Sequence, residues 1–168
     1  METTTASPAT STATYASFGA RFVALIIDYI IIGCVQFLVI APIMAFLGFG
    51  IASQVDSSGT LTEEQAIGMA GAIMGAMTSV ILIVYAISIL YFSIMESSKS
   101  QASVGKLALG IKVTDVNGDR ISFGKAVLRS VGKIVSGMIL YIGYIMAAFT
   151  EKKQGLHDMI ANTLVVKK

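Results

Sequence analysis

Phe22-Val23-Ala24-Leu25-Ile26-Ile27-Asp28-Tyr29-Ile30-Ile31-Ile32-Gly33-Cys34-Val35 decides the fold. The run continues to Ile51 with Asp28 as its only charge. As a helix it spans about 45 Å, against roughly 30 Å of bilayer hydrocarbon. The excess is taken up by tilt or by ends in the headgroup layer. A carboxylate inside such a helix costs about 3 kcal/mol or more at the bilayer centre, so it faces protein or a wet cavity and has a partner. Arg21 stands two helical turns before it. Either Arg21 reaches inward to Asp28, or it snorkels to lipid phosphates and Asp28 pairs elsewhere.

Working outward, composition places the whole chain in the membrane class. Hydrophobic residues make up 55% of 168, charged residues 13%, and mean hydropathy is +0.78. The single cysteine, Cys34, excludes an intrachain disulfide and reads as a small core residue. Residues 1–14, rich in Thr, Ser and Ala, read as a disordered tail without the basic start of a signal peptide. Residues 15–168 read as a single membrane domain.

A polar loop, 52–65, carries acidic residues but no Lys or Arg. Thr62 and Gln65 have the spacing of a capping box, and Glu63 and Glu64 suit the positive end of a helix dipole. The second apolar run, Ala66 to Met95, has no charge, so helices over about 19–51 and 62–95 form a transmembrane hairpin. Gly71 and Gly75, extended by Gly68, Ala72, Ala76 and Ser79, form a small-residue stripe that reads as close packing within the chain, or else as a dimer contact.

Beyond Glu96 the chain turns polar and basic. Residues 110–122 read as a β-hairpin about Asn117-Gly118. Asp115, Asn117 and Asp119 mimic the start of a calcium loop, but its twelfth position is Ala126 rather than glutamate. Lys125, Arg129 and Lys133 recur every fourth residue of a helix over about 122–149, which reads as a basic stripe facing anionic lipid headgroups. Its apolar end, 134–149, is about 24 Å long as helix and short for a span. A re-entrant or interfacial course there leaves all twelve Lys and Arg on one side. The positive-inside rule then makes both termini cytoplasmic.

The fold class is therefore an all-α membrane protein: a two-helix transmembrane hairpin, a small cytoplasmic β-hairpin and re-entrant or interfacial C-terminal helices. Asp28 is the candidate ion- or proton-binding group. Gln36 lies near its face and lines the same cavity or makes an interhelical hydrogen bond; Ser79 and Tyr85 are further candidate lining residues. His157 and Asp158 point about 100° apart on a helix and are no catalytic dyad. Asp158 serves either as a structural partner of a basic group or as a cytoplasmic proton acceptor. A single histidine makes a zinc site improbable. Nothing resembles a nucleophile–base–acid set, so no enzyme, cofactor, metal or nucleic-acid partner is expected.

Arg21-Phe22-Val23-Ala24-Leu25-Ile26-Ile27-Asp28 resembles the opening of the RDD family of small membrane proteins, named for one arginine and two aspartates. Gln101 to Val113 resembles the family's segment after its second helix, and Leu156 to Val166 its C-terminal motif, which assigns Asp158 as the second aspartate. Val104 departs from the pattern, where proline is frequent, and a looser turn is expected. The resemblance implies transport, cation/proton antiport having been linked to some members. The leading expectation is proton-coupled exchange of a small monovalent cation in a bacterial or archaeal cytoplasmic membrane, by Asp28 tuned by Arg21. Two spans are too few to enclose a pathway, so this requires a homo-oligomer. The alternative is a non-transporting adaptor or scaffold that recruits lipid or a partner protein.

Overall fold

The computed structural model describes residues 14–53, 61–139 and 142–168. The expected N-terminal tail and most of the loop between the long helices lie outside them. Two 35-residue helices dominate: α1 (Phe18–Ala52) and α2 (Glu63–Ser97). Both are long and apolar enough to cross a bilayer. Ser17 caps α1 by accepting from the Ala20 N–H, and the helix runs through Pro42. The Thr62–Gln65 capping box starts α2 as expected.

The two long helices expose most of their apolar side chains, among them Phe37, Leu38, Phe46 and Phe49 on α1 and Met74 and Leu82 on α2. Little of either is buried by the chain itself; burial on α1 is confined to Ala24, Asp28 and Ile32. This is the signature of helices whose solvent is lipid. Cys34 is exposed on this surface rather than in a core. The glycine stripe also departs from the expected close packing: a Cβ added at Gly68, Gly71 or Gly75 meets nothing within 4 Å.

The rest of the chain gathers at the α1 start and α2 end. It comprises α3 (Val104–Ala108), β1 (Ile111–Asp115), α4 (Phe123–Met138), α5 (Ile142–Phe149), α6 (Leu156–Ile160) and β2 (Thr163–Lys167). A small two-stranded antiparallel sheet is present, but its partners differ from the expected hairpin. Strand β1 pairs with the C-terminal β2, from Ile111 opposite Lys167 to Asp115 opposite Thr163. Asn117-Gly118 still turns the chain, with Gly118 at φ +90°, but the residues after it run to the cap of α4. The segment before α1 joins the other edge of β2 through Tyr15–Val166 pairing. Ala16, Ile111, Val113, Ile121, Ala126 and Val165 close a compact apolar core behind this sheet.

Helices α4 and α5 meet at 103°, so they form no straight span. The face that α4 buries is polar: Arg129, Ser130, Lys133 and Ser136, with Ala126 and Gly132. The face it exposes is apolar: Leu128, Val131, Val135 and Met138. This reverses the expected basic stripe. Of its three cations only Lys125 is at the surface, where it lies 3.8 Å from Asp115. Arg129 and Lys133 are 1% and 8% exposed. The helix is amphipathic as anticipated, but in apolar surroundings charges lower their energy by turning toward one another inside the protein.

Candidate functional site

Asp28 sits on the inner face of α1, 1% exposed. Its Oδ1 accepts from the Tyr91 hydroxyl of α2 at 2.8 Å and from the Gly105 N–H at 2.8 Å. Its Oδ2 accepts from the Ser103 hydroxyl at 2.5 Å. All three donors are neutral. Gly105 is required for this approach, because a Cβ there would collide with the Ala24 carbonyl. The Val104 N–H, which a proline would lack, donates to the Tyr91 hydroxyl at 3.2 Å. A looser turn was expected without the proline ring; the turn is instead tied down by this hydrogen bond.

Arg21 does not pair with Asp28. Its Nη1 donates to Asp158 Oδ2 at 2.5 Å, and its other donors reach the Ala16 and Val165 carbonyls. Asp158, fully buried on α6, also accepts from Arg129: Nη2 lies at 2.5 Å and Nε at 2.8 Å from Oδ1. Arg129 Nη1 continues to Glu96 Oε2 at 2.8 Å. Glu96, at the end of α2 and fully buried, takes Lys106 at 2.5 Å and Lys133 at 3.0 Å on its other oxygen. Arg21, Asp158, Arg129, Glu96, Lys106 and Lys133 thus form one continuous buried chain of charges. It joins α1, α2, α3, α4 and α6.

Burial is the largest influence on Lys106, His157 and Asp158. It pulls the Lys106 ammonium down to about 7, with the nearby Arg129 charge adding to the effect and Glu96 opposing it. It pulls His157 down to about 3, so that the imidazole is neutral near pH 7. For Asp158 burial acts upward but is overcome by Arg129, His157 and Arg21, which hold the carboxylate below its ordinary range.

Of the expected lining residues, Gln36 and Tyr85 border one cavity of about 370 Å³ between α1, α2 and α4. Gln36 also makes the interhelical hydrogen bonds foreseen for it, to the Val84 carbonyl at 3.0 Å and Ser88 Oγ at 3.1 Å. Ser79 lines a separate cavity of about 540 Å³ between the outer halves of α1 and α2, and its hydroxyl bonds the Gly75 carbonyl. Asp28 lines a third, of about 410 Å³. Among the described residues no cluster of three or more His, Cys, Asp or Glu could hold a metal ion. Asp115 Oδ1 accepts from the Asn117 and Asp119 N–H groups, so the calcium-like motif is a turn device here.

Tyr91, Glu96, Ser103 and Lys106 were missed as site residues. A signal for Glu96 exists in the sequence: an acidic residue in the last turn of an apolar helix opposes the helix dipole and needs a compensating cation. Nothing local points to Tyr91 or Ser103, which meet Asp28 only across the fold.

The RDD family pattern matches residues 15–162. The chain is similar to the uncharacterized protein YxaI of Bacillus subtilis (strain 168), 39% identical over 91% of this chain and 97% of that protein. It is also similar to the uncharacterized membrane protein YteJ of the same organism, 31% identical over 90% and 80% respectively. A proline-rich antigen homolog of Mycobacterium tuberculosis is 32% identical over 66 residues, 39% of this chain and 28% of that one. No solved structure matches. With the family pattern covering the two long helices and the charge cluster that joins them, the chain belongs to the RDD family of membrane proteins.

Proposed function

We propose that this protein exchanges protons for a small monovalent cation across a bacterial cytoplasmic membrane, as a homo-oligomer with both termini on the cytoplasmic side. The observation that carries this reading is Asp28: a carboxylate buried in the first span and held only by neutral donors, Tyr91, Ser103 and Gly105. No fixed cation occupies it among the described residues, so a proton or a small cation can neutralise it in turn. The charge chain at the α1 start and α2 end supports the reading, because buried ionisable groups at such density mark ion and proton pathways. Arg21 enters this scheme through Asp158, not as the direct partner of Asp28.

Proton flux in liposomes holding the purified protein, followed with a pH dye during pulses of Na⁺, Li⁺ or K⁺, tests it. The expected result is cation-dependent flux that disappears in Asp28→Asn. Flux in a folded Asp28→Asn variant equal to wild type overturns it, as does a chain that stays monomeric in nanodiscs.

A second reading, a non-transporting adaptor, is favoured by the same hydrogen bonds seen as a clamp: they fasten α2 and α3 to α1. It predicts no flux with any of the three ions from folded protein, and loss of fold rather than of flux in Asp28→Asn.

A further inference from the structure

The cavity of about 410 Å³ beside Asp28 has an unusual lining. One part is cationic: Arg21, Lys106, Arg129 and Lys133 all border it. The other part is apolar and continues onto exposed side chains of α1 and α5, with Phe22 53%, Ile26 44% and Ile145 47% exposed. The ion-paired cluster holds Arg21, Lys106, Arg129 and Lys133 against two carboxylates, Glu96 and Asp158, while Asp28 borders the same cavity on neutral donors. His157, neutral and also lining the cavity, does not change this balance. A bound anion would favour the charged form of Lys106, which burial otherwise pulls down to about 7.

The donors show where an anion would sit. Lys106 and Lys133 share a single acceptor, Glu96 Oε1, at 2.5 and 3.0 Å, so their ammonium groups are close neighbours. Each ammonium has three N–H groups. Apart from Glu96 and the face of the Phe92 ring under Lys133, the described residues give these nitrogens no further acceptor. A phosphate-type oxyanion bridging the two nitrogens would satisfy their remaining donors and hold Lys106 in its charged form.

We propose that this cavity binds one phosphate-bearing amphiphile, the headgroup phosphodiester of an acidic membrane lipid between Lys106 and Lys133, with its acyl chain along Phe22, Ile26 and Ile145. This site is separate from the surface attraction expected of a basic stripe, since both lysines are inside the fold. It stands independently of the transport reading.

The test is native mass spectrometry together with thermal unfolding of the detergent-purified protein. Phosphatidylglycerol, phosphatidylcholine and inorganic phosphate are added in separate arms. Phosphatidylglycerol is expected to raise the melting temperature saturably and to give a one-lipid adduct per chain, while phosphatidylcholine gives neither. Stabilisation by inorganic phosphate alone to the same degree supports the oxyanion site and assigns it to free phosphate instead of lipid. Lys106→Met with Lys133→Met is expected to lose the adduct, and the surface variant Lys125→Met to keep it. Should the double variant fail to fold, the wild-type arms still decide. Equal response to phosphatidylglycerol and phosphatidylcholine, or to none of the three, overturns the proposal, as does an adduct that persists in a folded double variant.

Discussion

Asp158 is the residue on which most of the buried charge depends, since it faces Arg21 and Arg129 together. Replacing it by asparagine removes the carboxylate that pairs with Arg21 and one of the two that pair with Arg129, and removal of one partner from a buried ion pair costs about 3–5 kcal/mol. Asp158→Asn is therefore expected to lower the melting temperature sharply in detergent. A thermal scan showing wild-type stability would refute the pairing. Lys106 makes a pH prediction. Its folded value, about 7, lies below the ordinary 10.5. Between those values the unfolded chain holds a proton that the native lysine has released, so stability rises with pH through this window. The slope is at most about 1.4 kcal/mol per pH unit. Lys106→Met removes that part of the slope, which denaturation at pH 7, 8 and 9 would read directly.

Among the elements, α3 is the short piece that joins Asp28 to the charge chain, presenting Gly105 to one and Lys106 to the other. Gly105→Ala forces its Cβ into the Ala24 carbonyl and must displace α3 from α1. The expected cost is several kcal/mol, on the scale of core overpacking plus loss of hydrogen bonds to a charged group. It is checked by unfolding and by amide exchange at Val104 and Gly105, both of which should lose protection. If both amides remain as protected as in wild type, the α1–α3 contact is not as described. The α4 helix shows why periodicity alone misleads in a membrane. The repeat of Lys125, Arg129 and Lys133 reports a polar face correctly, but which way that face turns depends on the solvent. In water it would turn outward; here Glu96 and Asp158 draw two of the three cations inside.

At the scale of the whole molecule, the two spans are joined tightly at one end and part toward the other, where a cavity of about 540 Å³ opens between them. The transport reading needs further helices there, which on that proposal a second copy would supply. Gly71→Leu with Gly75→Leu is expected to leave the monomer fold unchanged, since a Cβ at either position meets open space, yet to disrupt self-association. Size analysis in nanodiscs decides it: an unaltered oligomer separates the glycine face from assembly.

Much of this was legible from the chain alone, and the rest was not, for one physical reason. Hydropathy, length and end caps are local, and they determined the two long apolar helices, the capping box at Thr62 and the membrane class. That Asp28 would be turned inward to a partner was also readable, from the cost of a charge in an apolar run. Which charge meets which was decided only by tertiary structure. Arg21 is nearer to Asp28 in sequence than to Asp158, yet the fold brings it to Asp158, 137 residues away. Strand β1 likewise finds its partner at the C-terminus rather than across its own turn. Long-range pairing depends on how whole elements dock to hide their polar groups from lipid, and no window of sequence contains that information.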